Sequence, residues 1–123
     1  MKFLWVTLHV RDMERSLGFY RDILGLDVKR RVNPNPKMEL AFLGSGDTQV
    51  ELICEREGGD VRFGGDISLG FAVSSLDRFS ESLREKGIPV HSGPFQPNPH
   101  IRFLYILDPD GLKIQLVENI IQA

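Results

Sequence analysis

The chain has 123 residues, of which 41% are apolar and 26% are charged, and its formal net charge is −2. This length is enough for one domain that buries a core without a disulfide or a metal. The balanced charge argues against nucleic acid or an anionic membrane as the main partner, and no segment approaches the length of a membrane span. A single cysteine excludes an intrachain disulfide, and a start that predicts a strand instead of a signal peptide fits a cytoplasmic protein.

The sequence repeats itself. Residues 33–37 read Asn-Pro-Asn-Pro-Lys, and residues 96–100, which lie 63 positions later, read Gln-Pro-Asn-Pro-His. Three further matches follow in the same order at offsets of 62 to 64, as expected of a tandem duplication with small loop changes. We therefore predict a single domain built from two modules, at residues 1–57 and 66–123, joined by a glycine-rich linker at 58–65.

The first module begins with a predicted strand at residues 3–10, which are rich in apolar and β-favouring types. Asp12 can cap a helix after it, and Gly25 suits the left-handed position at the end of that helix. The apolar residues at helical spacing between them are Met13, Leu17, Tyr20 and Leu24. Three strands are predicted to follow, at residues 26–32, 38–43 and 48–55.

The second module has the same order of elements. Its first strand alternates over residues 68–73, Ser75 is the helix cap, and Gly87 ends the helix. The apolar stripe of this helix consists of Leu76, Phe79 and Leu83, and the later strands are predicted at 88–91, 102–107 and 112–118. The module is therefore βαβββ, twice, with the Pro-Asn-Pro segments as loops between strands.

Alternation along the strands assigns their faces. In the first strand the aliphatic set should pack under the helix, and it comprises Leu4, Val6, Leu8 and Val10. The opposite set is aromatic and polar, and it comprises Phe3, Trp5, Thr7 and His9. In the last strand of the module Leu52 and Cys54 fall on the helix side and are predicted to be buried, whereas Glu51 falls on the opposite side. One face is thus a core, and the other is a mixed surface that two modules could close into a cup.

Two segments carry a resemblance to a known family. The first is residues 9–26, which span the first helix, and the second is residues 108–116, which read Asp-Pro-Asp-Gly-Leu-Lys-Ile-Gln-Leu. Both resemble segments of the vicinal-oxygen-chelate proteins, the glyoxalase/bleomycin resistance/dioxygenase superfamily. The resemblance covers nearly the whole chain. It implies an α+β fold in which two tandem βαβββ modules form a cup-shaped mixed sheet with the helices on its outer face.

The resemblance also implies where a metal would bind. In metal-dependent members a divalent ion is held by His or Glu from the first and last strand of each module. The corresponding positions in this chain are Trp5, Glu51, Ser68 and Gln115. Tryptophan has no lone pair to donate, and the Ser and Gln oxygens are weak neutral ligands, so only Glu51 is a good ligand. We therefore predict no metal and no other cofactor.

Glu51 is the candidate catalytic residue. Partly desolvated in a cup, it would act as a general base, or alternatively it pairs with a cation such as Arg102 or Lys113. Trp5 is either a stacking platform for a planar ligand or a filler of the space that the metal would occupy. His9 either lines the pocket or replaces a lost metal ligand.

The remaining candidate ligand-binding residues are polar or aromatic. Thr7, Ser68 and Gln115 can orient a small organic molecule, or they can satisfy one another. Arg102 and Tyr105 lie on the strand before the final turn, where Arg102 either receives an anionic group or faces solvent.

Three functions are open on these residues. The first is a metal-free protein that binds a small, partly aromatic molecule, as bleomycin-resistance-like members do by sequestration. The second is a metal-free lyase or isomerase with Glu51 as base. The third is a glyoxalase-like or dioxygenase-like metalloenzyme whose ion is held by His9 and Glu51 with residues of a second subunit. Family members commonly cover their open sheets by forming a homodimer, so we expect a homodimer here as well.

Overall fold

The computed structural model describes residues 1–119 and divides the chain into two compact units, the first covering Met1–Arg62 and the second beginning at Phe63. The last four residues assigned to the second module, 120–123, lie outside the described residues. Each unit contains one four-stranded sheet with its own helix.

The first unit runs through five elements. They are β1 (Trp5–His9), α1 (Met13–Leu17, continued by a π-helical segment, Gly18–Ile23), β2 (Val28–Asn35), β3 (Met38–Leu43) and β4 (Gln49–Glu55). The strand order is β1-β4-β3-β2, in which β1 is parallel to β4 and the other neighbours are antiparallel.

The second unit repeats this topology. Its elements are β5 (Ser68–Ala72), α2 (Leu76–Glu85), β6 (Ser92–Asn98), β7 (Ile101–Leu107) and β8 (Lys113–Asn119). The strand order is β5-β8-β7-β6, again with the first strand parallel to the last. The predicted α+β class with two βαβββ modules is therefore confirmed.

The helices begin and end where the sequence predicts. The side chains of Asp12 and Ser75 accept hydrogen bonds from the backbone N–H groups of Arg15 (3.0 Å) and Arg78 (3.2 Å), which satisfies donors that the first helical turn leaves free. Gly25 has φ +77° beyond the first helix, a conformation that strains any residue with a side chain.

The first helix differs from its prediction in its second half, which is π-helical. The amide of Leu24 donates to the carbonyl of Phe19 at 3.0 Å, five residues back. The wider turn lets two adjacent aromatic residues, Phe19 and Tyr20, both be buried.

The strand predicted at residues 88–91 is wrong, because β6 begins only at Ser92. Both Pro-Asn-Pro segments also extend strands that were predicted to stop before them. β2 and β6 are edge strands, where a proline without an N–H costs no hydrogen bond to a neighbour. In both units the asparagine closes the next turn, since Asn35 and Asn98 accept from the N–H of Lys37 (2.9 Å) and His100 (2.8 Å).

The core of each unit lies between the helix and the aliphatic face of its sheet. In the first unit Leu8, Leu17 and Leu52 are buried, and in the second Leu83 and Leu116 are. Two predictions for this face were wrong. Leu4 is 50% exposed, because β1 begins only at Trp5, and Cys54 is half-buried near the end of β4.

None of the helices within residues 1–119 is long and apolar enough to cross a membrane.

Truncation of Leu52, which is fully buried, is expected to destabilise the protein. Leu52→Ala should lower the free energy of unfolding by about 2–5 kcal/mol, because a buried leucine loses both transfer energy and packing. Leu4→Ala, the same change at a position that is 50% exposed, should stay within about 0.5 kcal/mol of the parent. Urea denaturation of both variants measures the difference, and equal losses would contradict the assignment of faces.

A second prediction concerns assembly. The segment before β1 exposes Phe3 (67%), and β1 is an edge strand, a combination that solvated monomers rarely keep. We predict a two-fold homodimer that buries more than roughly 1,000 Å² in total. Sedimentation equilibrium at micromolar concentration tests this, and a mass near 13.9 kDa would contradict it.

Candidate functional site

A hydrogen bond between β1 and β4 forms the centre of the candidate site. Parallel pairing places Thr7 directly beside Glu51, and the Thr7 hydroxyl donates to Oε1 of Glu51 at 2.5 Å. Glu51 is only 8% exposed, although it lies on the face opposite Leu52 and the helix. Thr7 and Glu51 therefore share a face, as their alternation predicts.

Two aromatic residues lie beside this pair. The rings of Trp5 and Phe42 meet edge to face with centroids 5.5 Å apart, and Phe42 on β3 is the direct neighbour of Glu51. Phe42 is buried, whereas Trp5 is 44% exposed and available to a ligand. The guanidinium carbon of Arg30 on β2 lies 4.5 Å from the Phe42 ring centroid.

Sequence reasoning did not select Phe42 or Arg30. A signal for Phe42 exists in the repeat, because it lies 63 residues before Tyr105, which was selected. Arg30 is harder to place from the sequence, since the pairing of β2 with β3 shifts between Val28 and Arg30. Alternation counted through that irregularity fails to assign a face.

His9 lies at the far end of the same face. Its Nδ1 is 3.6 Å from Oε1 of Glu55, and both side chains are largely exposed. A cleft of about 490 Å³ opens there, and it is lined by His9, Ile53, Glu55 and the chain that follows β4. Arg11 helps to close the cleft by donating from its guanidinium to the carbonyl of Val61. Glu51 does not line this cleft, so His9 and Glu51 contribute to different parts of the face.

In the second unit the candidate residues lie on β5, β7 and β8. Gln115 is the direct neighbour of Tyr105, and both are half-buried, while Ser68 is exposed on the edge strand. Lys113 lies over the Tyr105 ring with Nζ 5.7 Å from its centroid. It stays a prediction that one cavity brings together Trp5, Thr7, Glu51, Ser68 and Gln115.

Arg102 lies on the other face of its sheet. Its guanidinium donates to Asp77 in the first turn of α2 at 3.1 Å, and this hydrogen bond raises the pKa of Arg102. The ligand-binding role predicted for Arg102 is therefore not supported, because its guanidinium is paired with Asp77 on the helix side of the sheet. Within the first unit the hydrogen-bond partner of Glu51 is Thr7, and the alternative pairing with Arg102 or Lys113 stays a hypothesis.

The ligand set implied for a divalent ion does not fit these residues. Within residues 1–119 no group of three or more His, Cys, Asp or Glu side chains is placed to hold a metal ion. At the family's ligand positions, Trp5 turns an indole ring toward Phe42, and Oε1 of Glu51 is engaged by Thr7. One carboxylate with neutral Ser and Gln oxygens falls short of the roughly three protein ligands that a catalytic ion needs.

The chain is thus a small α+β protein with two tandem βαβββ units. Polar and aromatic side chains lie on the sheet face opposite the helix. The family model of the Glyoxalase/Bleomycin resistance protein/Dioxygenase superfamily matches residues 2–116, so the chain belongs to this superfamily.

Curated and structural relatives agree with this assignment. Lactoylglutathione lyase of Haemophilus influenzae is 31% identical, and the match covers 97% of this chain and 93% of that protein. The trypanothione-dependent glyoxalase I of Leishmania major has a TM-score of 0.80 at 25% identity, with 96% of this chain and 86% of that chain covered. TnmS3, an antibiotic-binding protein from Streptomyces sp. CB03234, shares the fold with a TM-score of 0.77 at 23% identity, over 97% of this chain and 96% of its own.

The donor set generates a prediction about metal content. Purified protein should hold far less than one equivalent of zinc, nickel, manganese or iron, and a chelator should leave its melting temperature unchanged. Elemental analysis and thermal unfolding measure both effects.

One tightly held equivalent in the unmodified protein would overturn the prediction.

Proposed function

We propose that the protein is a glyoxalase-like lyase or isomerase in which Glu51 moves a proton on a small thioester or a related carbonyl compound. The observation that carries the proposal is the buried Glu51 carboxylate, oriented by the 2.5 Å hydrogen bond from Thr7. Curated relatives named lactoylglutathione lyase, which match nearly the whole chain, support an enzyme of this class more than a protein that only binds.

The arrangement of the Glu51 oxygens suits a base. Thr7 occupies Oε1, while Oε2 has no hydrogen-bond partner within the described part of the chain. The hydroxyl thus fixes the plane of the carboxylate and leaves one oxygen to receive a proton.

The proposed proton transfer is described for lactoylglutathione, the compound in the relatives' names. Lactoylglutathione carries a hydrogen and a hydroxyl on the carbon next to its thioester carbonyl, and the carbonyl makes that hydrogen acidic. Oε2 of Glu51 removes this proton and returns it to the neighbouring carbon, while the hydroxyl proton moves to the other oxygen. No atom is gained or lost, and the product is the isomeric 2-oxo compound with sulfur and hydroxyl on the adjacent carbon.

A second candidate is binding without turnover. It is favoured by Trp5, a flat and 44% exposed ring at a position where the family resemblance implies a ligand to an ion. Such a ring can stack on a planar molecule, and aromatic residues in clefts carry much of the binding energy in many complexes. TnmS3, named for binding an antibiotic, shares this fold, but its likeness extends no further than the fold.

Proton exchange tests the proposal. Lactoylglutathione and the N-acetylcysteamine thioester of lactate are incubated with the protein in D₂O, and loss of the carbon-bound hydrogen is followed by NMR. The parent protein should catalyse exchange, and Glu51→Gln should slow it by about 100-fold or more, since a positioned base contributes that much.

Glu57→Gln is the matched control, because it removes the same charge from an exposed residue whose partner is Lys37. It should exchange at the parental rate, and both variants should unfold at nearly the parental urea concentration. Exchange that survives Glu51→Gln would sink the proposed role of Glu51. Binding of either thioester without any exchange would establish the second candidate.

A further inference from the structure

Four side chains form a row across the first sheet. The pairing register places Arg30 beside Phe42, Phe42 beside Glu51, and Glu51 beside Thr7. Contacts show that the row lies on one face, since Arg30 covers the Phe42 ring and Thr7 donates to Glu51. Reading across β2, β3, β4 and β1, the row presents a cation, an aromatic ring, a carboxylate and a hydroxyl.

Arg30 differs from the arginine next to it. Arg31 projects to the helix side, where it pairs with Glu14 and Glu39, and the hydrogen bonds to these two carboxylates raise its pKa. The Arg30 side chain has neither an ion pair nor a hydrogen bond among residues 1–119, and its guanidinium stacks on the Phe42 ring. Its donors are therefore available, and stacking on the ring limits the orientations that the guanidinium adopts.

The second unit places a cation over the equivalent ring by a different route. Tyr105 lies 63 residues after Phe42, and Lys113 of β8 covers it. The position equivalent to Arg30 is Gly93, where φ is +97° and an added Cβ would lie 3.2 Å from the Phe103 carbonyl oxygen. No arginine fits at that point of β6, yet a cation on the aromatic ring is present in both units.

We infer that Arg30 is a specificity-determining residue that binds an anionic group of the ligand, so that the favoured ligands are small planar organic anions. This rests on the proposed function for the role of Glu51, but the charge preference stands independently of turnover. Arg30 and Glu51 lie two strand spacings apart, about 10 Å between backbones, so the anionic group and the acidic C–H of one small ligand can reach both. The guanidinium fork suits carboxylate and phosphate alike.

Titration followed by NMR tests the inference. Trp5 is the one tryptophan of the chain, so its indole N–H signal reports on this face without ambiguity. The probes are trans-cinnamate, its neutral amide and phenyl phosphate. The parent protein should bind one or both anions about fivefold more tightly than the amide, an advantage in the range of a charge-assisted hydrogen bond at a partly exposed site.

Arg30→Met should remove this advantage, so that cinnamate and its amide bind within about twofold of each other. Arg31→Met is the matched control, since it removes the same charge from the adjacent residue on the opposite face, and it should keep the parental preference. If Arg30→Met does not fold, as judged from its amide spectrum, Arg30→Gln replaces it. Whichever anion binds more tightly identifies the ligand as a carboxylate or a phosphate.

A parent protein without anion preference, or a preference that Arg30→Met leaves intact, would overturn the inference. The two proposals fail separately. An absence of proton exchange together with a retained anion preference removes only the proposed function. Normal exchange together with equal affinity for cinnamate and its amide removes only the role of Arg30.

Discussion

The candidate site depends on the parallel pairing of the first and last strands of a unit. β1 and β4 are distant in sequence, and their pairing places Thr7 against Glu51 with the hydroxyl oriented toward the carboxylate. A shift of one residue would turn Glu51 toward the helix and Leu52 toward the open face. The burial of Leu8 and Leu52 under α1 excludes that shift, so core packing fixes the register on which the chemistry depends.

The two modules share the same kinds of interaction, although the residues that make them do not always occupy equivalent positions. In the first unit Glu14 of the helix pairs with Arg31 of β2, whereas in the second Asp77 at the same helical position pairs with Arg102 of β7. The acidic partner stays, and the arginine moves from one strand to the next. The capping of both helices and the asparagine turns after β2 and β6 are retained in the same way.

Much of the fold follows from local sequence signals. Helix caps, glycines with positive φ and alternation in strands are properties of a few neighbouring residues, so the strand of residues 38–43 and both helix starts were predicted as they occur. Leu4 was misplaced because alternation does not show where a strand begins. The face of Arg102 was missed although alternation along β7 already separates it from Tyr105, three residues later, and its hydrogen bond to Asp77 agrees with the helix side.

The candidate site was predictable where it consists of polar residues on regular strands. Thr7 and Glu51 were assigned to one face from alternation alone, and their hydrogen bond agrees with that assignment. Phe42 was overlooked because it occurs in a mostly apolar strand and looks like one more core residue. Arg30 was overlooked because the irregular pairing of β2 breaks the period of two on which the assignment relies.

Replacing a metal ligand by tryptophan changes the chemistry open to the remaining carboxylate. A carboxylate that coordinates an ion shares its electron pairs with the metal, which weakens it as a base. In this chain the indole of Trp5 packs on Phe42 beside Glu51, and Thr7 engages one oxygen of the carboxylate. Glu51 is only 8% exposed, and under the proposed function its second oxygen accepts a proton. Tryptophan at this position thus lacks the donor that the family resemblance implies for an ion, and under the proposed function Glu51 acts as a base without a metal.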